Sequence, residues 1–323
     1  MKLLIGIPTC RRPTMLQELL ASIAAQHVPA DVDVEVFVAD NDCRNFEGAG
    51  CVRMLRDSYR FPVSSDVVVR PGISAVRNRI LHQAREGGYD ALAMLDDDEV
   101  AHPGWLASIV AAGQSADVVG GPVFYKLPPN TPTEVAASGL FPDKSRQSGP
   151  VAIINATGNV LVSTSALGRA GWPEFDDSFG LSGGGDAEWF VRLQKAGLSF
   201  AWCNEAAASE DIPPERLTAI WVVRRAYRIG HADVRILRLH GPRRTLALSL
   251  AKALAVVTAL PLLLPLMVPG GLRLRIGAKV ARSFGKLRAL TAGAPVEYAN
   301  RHGSGAEVTQ PTTSSSGDTL AVH

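Results

Sequence analysis

The chain has 323 residues, of which 46% are hydrophobic and 20% charged, a composition that supports a large folded core and argues against a disordered chain. Its four cysteines lack CxxC and zinc-site spacing, so a disulfide framework and a zinc module are not indicated. The net charge of +2 is unevenly distributed. Residues 1–210 carry 17 Lys and Arg against 25 Asp and Glu, whereas residues 211–301 carry 16 against 4. The basic C-terminal part indicates an anionic partner.

Strands and helices are predicted to alternate over the first hundred residues. This spacing is typical of βαβ units and predicts an α/β fold with an open, largely parallel sheet. The carboxyl ends of such strands carry the ligand site, so polar residues that follow different strands should converge there. The apolar runs predict strands at 3–7, 34–39, 67–69 and 91–95, with helices over 13–26 and from about 73 to 85.

The middle of the chain has a less regular pattern. Residues 126–150 are rich in Pro, Gly and Ser and predict a loop, and residues 151–162 predict further strand. Three glycines then lead into a helix whose first turn contains Asp186. Another helix, rich in arginine, is predicted over 214–228.

The C-terminal part has a membrane-like pattern. Residues 246–268 contain a single charge, Lys252, and two prolines, and basic residues flank them on both sides. This favours a re-entrant hairpin over a simple span, because both flanks prefer the cytoplasmic side. Residues 272–290 predict a basic amphipathic helix on anionic membrane, with Ile276, Val280, Phe284 and Leu287 on its apolar face. The tail is predicted to be disordered.

Three adjacent carboxylates follow the predicted strand 91–95, namely Asp96, Asp97 and Asp98. Their mutual repulsion favours a cation among them, and Mg²⁺ or Mn²⁺ prefers a few carboxylates together with phosphate oxygens. The simpler interpretation is a solvated acidic turn. The acids alone do not choose between these two interpretations.

Asp186 follows Gly183-Gly184-Gly185, which allow the backbone to turn tightly beside a ligand. A carboxylate there could remove a proton from an acceptor hydroxyl. An ordinary acidic first turn of a helix explains the same pattern. Elsewhere, Asp40 could bind a nucleoside and Arg77 a phosphate. The simpler interpretations are an aspartate in a turn at a strand end and, more often than a phosphate ligand, an arginine on the surface. The P-loop and zincin motifs are absent from the sequence.

Together these segments resemble glycosyltransferase family 2, whose members have the GT-A fold. The resemblance covers roughly residues 2–230, and the most similar branch is that of the succinoglycan-type exopolysaccharide glucosyltransferases. It implies a Rossmann-like, mostly parallel central sheet flanked by helices. The segments that carry it are LLIGIPTCRRP, VFVADND, PGISAVRNRIL, ALAMLDDDE and FDDSFGLSGGGDAEWFVRLQKAG, followed by Glu210 and RRAYR.

The resemblance also implies a role for each matching residue. Asp98, the last acid of a DxD-like motif, would bind Mn²⁺ or Mg²⁺, and Asp186 would be the catalytic base. The residues that would bind the nucleotide-sugar are Pro8, Thr9, Arg11, Asp40, Arg77, Asp96 and Asp97. Those on the acceptor or diphosphate side would be Gly184, Glu210, Arg224 and Arg225. One position departs from the family, because Gly185 stands where a glutamate is frequent, which puts acceptor specificity or activity in question.

The expected function is inverting, metal-dependent transfer of a hexose from a nucleotide-diphosphate sugar, with a UDP-sugar expected, to a lipid-linked saccharide acceptor. The expected role is exopolysaccharide or cell-envelope glycan synthesis at the cytoplasmic face of the inner membrane, with no nucleic-acid partner. The expected divisions are a catalytic domain (1–230), a membrane-associated helical region (231–300) and a tail (301–323). Two alternatives remain, a weakly active or non-catalytic sugar-binding scaffold and a metal-dependent nucleotidyltransferase.

Overall fold

The computed structural model describes residues 1–259 and 271–291. Its strands are β1 (Lys2–Thr9), β2 (Asp33–Asp40), β3 (Val63–Val67), β4 (Ala91–Met94), β5 (Glu99–Ala101), β6 (Val118–Gly120), β7 (Val123–Lys126), β8 (Gly149–Pro150), β9 (Val160–Ser163), β10 (Phe200–Trp202) and β11 (Ala208–Asp211). Its α-helices are α1 (Pro13–Ala24), α2 (Glu47–Leu55), α3 (Ile73–Glu86), α4 (Trp105–Gly113), α5 (Thr133–Ala136), α6 (Thr164–Arg169), α7 (Gly185–Lys195), α8 (Ala219–His240), α9 (Arg243–Thr258) and α10 (Gly271–Arg288).

The strands form two sheets. The larger one has the order β3-β2-β1-β4-β9-β6-β10-β8, and its first four strands are parallel. Strand β9 runs antiparallel to both β4 and β6, so the sheet is mixed. Helices cover both of its faces, which confirms the expected α/β class. In the smaller sheet, β11 pairs antiparallel with β5 and parallel with β7.

The larger sheet is buried on both faces because successive residues of a strand point to opposite sides. Leu3, Ile5 and Ile7 of β1 pack on one side with the apolar residues of α1, α2 and α4. Leu4 faces the other side, in the cluster formed with α3 and α7, which includes the buried Trp189. The fully apolar strands of the sequence therefore become the centre of a three-layer structure.

Three of the predicted elements are corrected. The third strand is Val63–Val67 and not 67–69, because residues 63–67 pair with β2 while Val69 is 73% exposed. Within 151–162 the strand begins only at Val160. The helix predicted over 214–228 is instead a short 3-10 turn followed by α8, since the Thr218 hydroxyl caps the new helix by accepting from the Trp221 N–H.

The C-terminal helix α10 forms as predicted, but its packing differs from the predicted amphipathic pattern. Its buried face is made of small and apolar residues against α8, whereas Phe284 is 48% exposed. On the predicted polar face, Arg282 pairs with Asp233 of α8 and Lys286 donates to Ser249 of α9. The tertiary contacts of α10 are therefore set by close helix packing as well as by apolar burial.

The remaining C-terminal predictions fall partly on residues 260–270 and 292–323, which lie outside the described residues. The re-entrant hairpin and the disordered tail are among them. Within residues 1–259 and 271–291, no helix is both long and apolar enough to cross a membrane. Helix α8 continues across position 230, and the domain boundary expected there stays a prediction.

Candidate active site

The predicted site residues gather at the carboxyl ends of the parallel strands. Thr9 ends β1, Asp40 ends β2, and the acids 96–98 follow β4. The register aligns Thr9 with Asp40, and β1 pairs with β4 on its other side. The Thr9 hydroxyl donates to Asp97 Oδ2 at 2.8 Å. Residues 88 positions apart in sequence are thus joined directly by the sheet order.

A first cavity of about 560 Å³ opens at this edge of the sheet. It is lined on one side by the ends of β1 and β2 and on the other by the segment after β11. Its lining includes eight of the predicted and neighbouring polar residues, namely Thr9, Arg12, Asn41, Arg77, Asp96, Asp97, Asp98 and Glu210. A cavity of this size and polarity suits a charged ligand such as a nucleoside diphosphate.

Arg12 is the cation closest to the acidic triad. Its Nη1 lies 2.9 Å from Asp97 Oδ1 and 2.7 Å from Asp98 Oδ2. Asp97 is almost completely buried, and this burial, reinforced by the charge of Asp98, raises the pKa of Asp97 to about 6 in spite of the Arg12 contact. The triad is therefore only partly neutralised by the protein itself.

The smaller sheet adds two glutamates to the acidic cluster. Glu99 of β5 and Glu210 of β11 are direct cross-strand partners. Burial and the negative charge of Asp98 raise the pKa of Glu210 to about 7. Arg216, from the 3-10 turn after β11, contacts Glu210 at 2.6 Å and Asp98 at 3.5 Å. The pKa of the buried Glu99 is raised as well, by burial and then by Asp96.

Arg77 connects the acidic triad with the predicted base. It projects from α3 and is 5% exposed, with Nη1 bonded to Asp186 Oδ1 and Nη2 lying 3.2 Å from Asp96 Oδ1. The second oxygen of Asp186 accepts from the Thr157 hydroxyl at 3.0 Å and from its N–H at 3.3 Å. Asp186 is thus oriented through both oxygens at the N-terminus of α7, where the helix dipole favours a carboxylate.

A second cavity of about 540 Å³ adjoins the first. The two cavities share Ile73, Arg77, Asp96, Glu210 and Arg225 in their linings. Asp186 and Gly184 line the second cavity and do not line the first. Arg77 therefore stands at the junction of two compartments, with Asp96 on the wall common to both.

Three predicted residues occupy other positions. Arg11 pairs with Asp42 at 3.1 Å and Arg224 is exposed, and neither lines the two cavities. Asp40 is fully buried, and its oxygens accept the backbone N–H groups of Asp42 and Ala49 at 2.9 Å. Asp40 thereby fixes the turn that brings Asn41 to the first cavity.

Several site residues were not identified from the sequence. Arg12 follows Arg11 directly, and with a left-handed backbone at Arg11 (φ 55°) the first side chain contacts Asp42 while the second contacts the acidic triad. Glu99 directly follows the three aspartates, and this position in the acidic run could have indicated it as a site residue. No sequence pattern near Thr157 or Arg216 indicated a place in the site. Within residues 1–259 and 271–291, no three His, Cys, Asp or Glu side chains already form a metal-binding group.

The sequence of the chain matches a known protein family. The family model described as "Glycosyltransferase like family 2" matches residues 2–229. The chain belongs to this glycosyltransferase family.

A curated relative supports the same assignment. The chain is 32% identical over 256 residues to the succinoglycan biosynthesis protein ExoM of Rhizobium meliloti (strain 1021). The alignment covers 77% of this chain and 80% of ExoM. The expected family resemblance is therefore confirmed over most of both chains.

Solved structures show that the fold is shared more widely. The mannosyltransferase PcManGT from Pyrobaculum calidifontis, in complex with GDP-Man and Mn²⁺, is similar with a TM-score of 0.59 at 17% identity, over 90% of this chain and 87% of that one. Residues 1–349 of S. aureus TarS give a TM-score of 0.52 at 18% identity, over 88% and 89%. A further TarS structure is matched over only 44% of its length. These similarities confirm the GT-A fold.

Proposed function

We propose that this glycosyltransferase moves a hexose from a nucleotide-diphosphate sugar to a hydroxyl of a saccharide acceptor, with inversion at the anomeric carbon. The observation that carries the proposal is the Arg77 bridge, which joins Asp96 of the first cavity to Asp186 of the second. A donor in the first cavity and an acceptor in the second would meet at this bridge. A UDP-sugar is the first donor to test.

The reaction requires one proton transfer and one displacement. Asp186 accepts the proton of the acceptor hydroxyl, and the oxygen attacks the anomeric carbon from the face opposite the diphosphate. The bond between that carbon and the diphosphate oxygen breaks, and the nucleoside diphosphate leaves with the electron pair. Thr157 keeps Asp186 oriented, while Arg77 stabilises the charge that develops on the leaving group.

The chemistry of the first cavity suits a divalent cation. Its donors are hard carboxylate oxygens in excess over the arginines that contact them, and Mn²⁺ or Mg²⁺ needs only one or two of these together with phosphate oxygens. Asp98 is the residue that we expect to hold the cation. Arg12 and Arg216 both contact the same oxygen of Asp98, Oδ2. Such an ion, when bound, would neutralise charge on the departing diphosphate.

The proposed biological role is exopolysaccharide or cell-envelope glycan synthesis, with a lipid-linked saccharide as acceptor. The similarity to a succinoglycan biosynthesis protein supports the pathway class. The exposed apolar residues Ile220, Leu239, Leu248 and Leu272, together with the many cations of α8–α10, support contact with an anionic membrane. We propose the cytoplasmic face of the inner membrane, where flanking basic residues are favoured.

The test is nucleotide release from a panel of nucleotide sugars with Mn²⁺, Mg²⁺ or EDTA. We expect metal-dependent release of a nucleoside diphosphate from one donor. Asp98→Ala should abolish it, and Asp186→Asn should reduce transfer by a factor of about 10² or more, as expected for a lost general base. Asp57→Asn, at an exposed position outside both cavities, is the matched control and should leave the rate unchanged.

The outcome separates the alternatives. Release of pyrophosphate would identify a nucleotidyltransferase. Absence of both turnover and metal-dependent donor binding across the panel would favour a non-catalytic sugar-binding scaffold. Full activity of Asp186→Asn would contradict the proposed role of Asp186 as the base.

A further inference from the structure

A third cavity of about 320 Å³ opens beside the second one. It lies under the segment that follows α5 and extends to the end of β10, where Trp202 contributes to its wall. Because the two cavities share part of their lining, a ligand in the second can continue into the third. The shared residues are Val123, Lys144, Asn155, Ala156 and Gly158.

The indole of Trp202 is a buried donor without a described acceptor. Trp202 is 8% exposed, and its Nε1 donates no hydrogen bond to any residue of the described chain. The other deeply buried indoles are satisfied, since Trp105 donates to Asn159 Oδ1 and Trp189 to the Pro173 carbonyl. Buried polar groups are nearly always paired, so an unpaired indole N–H on a residue that lines a cavity indicates a partner from outside the described chain.

The outer wall of the third cavity carries further donors. Arg146 lies over the Trp202 ring at 3.8 Å, and its side chain is exposed. Its backbone N–H donates to Asn204 Oδ1 at 3.2 Å, and Ser148 Oγ accepts from the Asn204 N–H at 2.8 Å. These bonds anchor the loop, so that an exposed guanidinium is held beside the cavity on a fixed backbone.

We propose that the third cavity binds a distal sugar of the acceptor, the residue next to the one that is glycosylated. The indole N–H, the Arg146 guanidinium and the Asn155 amide would bind hydroxyl groups of that sugar. The donor site is separate, because none of these residues lines the first cavity. This inference rests on the proposed function, since it requires an acceptor in the second cavity.

The test compares acceptors that carry one and two hexoses on the same octyl chain. The panel contains octyl glucoside and galactoside as one-hexose acceptors, and octyl cellobioside, lactoside, gentiobioside and maltoside as two-hexose acceptors. For the wild type we expect at least one two-hexose glycoside to have a KM about tenfold below that of its one-hexose counterpart. Arg146→Ala and Trp202→Phe should each remove most of this difference while leaving the KM of the one-hexose glycosides unchanged, because both residues line the third cavity and not the second.

Two controls keep the result interpretable. Arg85→Ala removes another arginine that lies over a tryptophan, Trp172, but outside the three cavities, and it should preserve the preference. Donor hydrolysis without acceptor should be the same in all variants, which also verifies that Trp202→Phe folds. Equal KM values for one-hexose and two-hexose glycosides, or variants that shift both alike, would overturn the inference. A wild type that neither hydrolyses nor binds any donor would instead reject the proposed function.

Discussion

At the scale of single residues, the site holds more carboxylates than cations. Six acids cluster there, and three arginines, Arg12, Arg77 and Arg216, contact five of them. Burial without full compensation raises the pKa of Asp97 and of Glu210. The six acids that make up this cluster are Asp96, Asp97, Asp98, Glu99, Asp186 and Glu210.

The charge imbalance predicts how stability depends on pH in the absence of metal. The pKa of Asp97 is about 6 in the folded protein against an ordinary value of 3.8, so the folded state retains a proton that the unfolded chain releases. This contribution is fully present below about pH 4 and is lost as pH rises through about 6. We expect Asp97→Asn to reduce this pH-dependent decline in the free energy of unfolding by up to about 3 kcal/mol. Urea unfolding in the presence of EDTA, between about pH 4 and 8, measures the difference.

Asp57→Asn, which changes an exposed aspartate outside the site, is the control and should leave the pH dependence of the unfolding free energy unaltered. An identical decline in wild type and Asp97→Asn would show that the carboxyl of Asp97 is not the group responsible.

At the scale of elements, two helix contacts depend on the absence of a side chain. A Cβ at Gly285 of α10 would lie 2.0 Å from the Tyr227 carbonyl oxygen of α8. A Cβ at Gly230 of α8 would lie 1.9 Å from the Arg282 carbonyl oxygen of α10. The two backbones therefore pack closely at these positions, and the obstacle is backbone that cannot rotate away.

We expect Gly285→Ala to destabilise the packing of α10 on α8 by about 1–3 kcal/mol, the usual cost of overpacking. Gly277→Ala on the same helix is the control, because no atom lies within 4 Å of the added Cβ, and helix propensity should make it neutral or stabilising by up to about 1 kcal/mol. Thermal unfolding measures the stability of both variants. Equal stability of the two variants would contradict the close packing.

The glycine turn before α7 offers a second comparison. Gly184 has φ +92°, and a Cβ there would lie 2.7 Å from Ala232 Cβ, whereas Gly197 after α7 has φ +83° in open space. Both alanine variants should incur about 1 kcal/mol of backbone strain, and Gly184→Ala should cost about 1–2 kcal/mol more from the clash. Chemical unfolding measures the difference in stability between the two variants. Equal stability would show that α8 shifts freely and that the clash with Ala232 carries no cost.

At the scale of the whole molecule, charge and exposed apolar surface coincide in the C-terminal helices. Leu239, Leu254, Leu272 and Phe284 are each about half exposed or more. The same region holds most of the excess of basic residues. Apolar side chains among cations are typical of proteins that bind anionic membrane surfaces.

We expect the protein to sediment with vesicles that contain phosphatidylglycerol more than with pure phosphatidylcholine vesicles, and less at high salt. Replacement of Leu272 and Phe284 by Ser should weaken binding by a factor of about ten, because inserted apolar area is lost. Met54→Ser, at an apolar residue that is 74% exposed on α2, is the control. Binding that is insensitive to lipid charge and to the double substitution would contradict the membrane surface.

The sequence by itself determined the features that depend on local patterns. Apolar runs and helical periodicity predicted β1, α1, β2, α3 and β4 within a few residues, because burial on a two-residue or 3.6-residue period is visible in any window of the chain. The order of the motifs identified the family, and the glycines before Asp186 predicted the start of α7. The acidic triad was recognised for the same reason, since its members are adjacent.

Only the tertiary structure decided which side chains meet. Arg77 and Asp186 are 109 positions apart, and the sheet order brings them together. Thr157 became part of the site because the chain returns beside α7, and Arg12 contacts the acidic triad whereas Arg11 contacts Asp42. Likewise, the close contact of α10 with α8 depends on Gly230 of α8 and Gly285 of α10. Contacts of this kind depend on where distant elements pack, which local periodicity and composition do not specify.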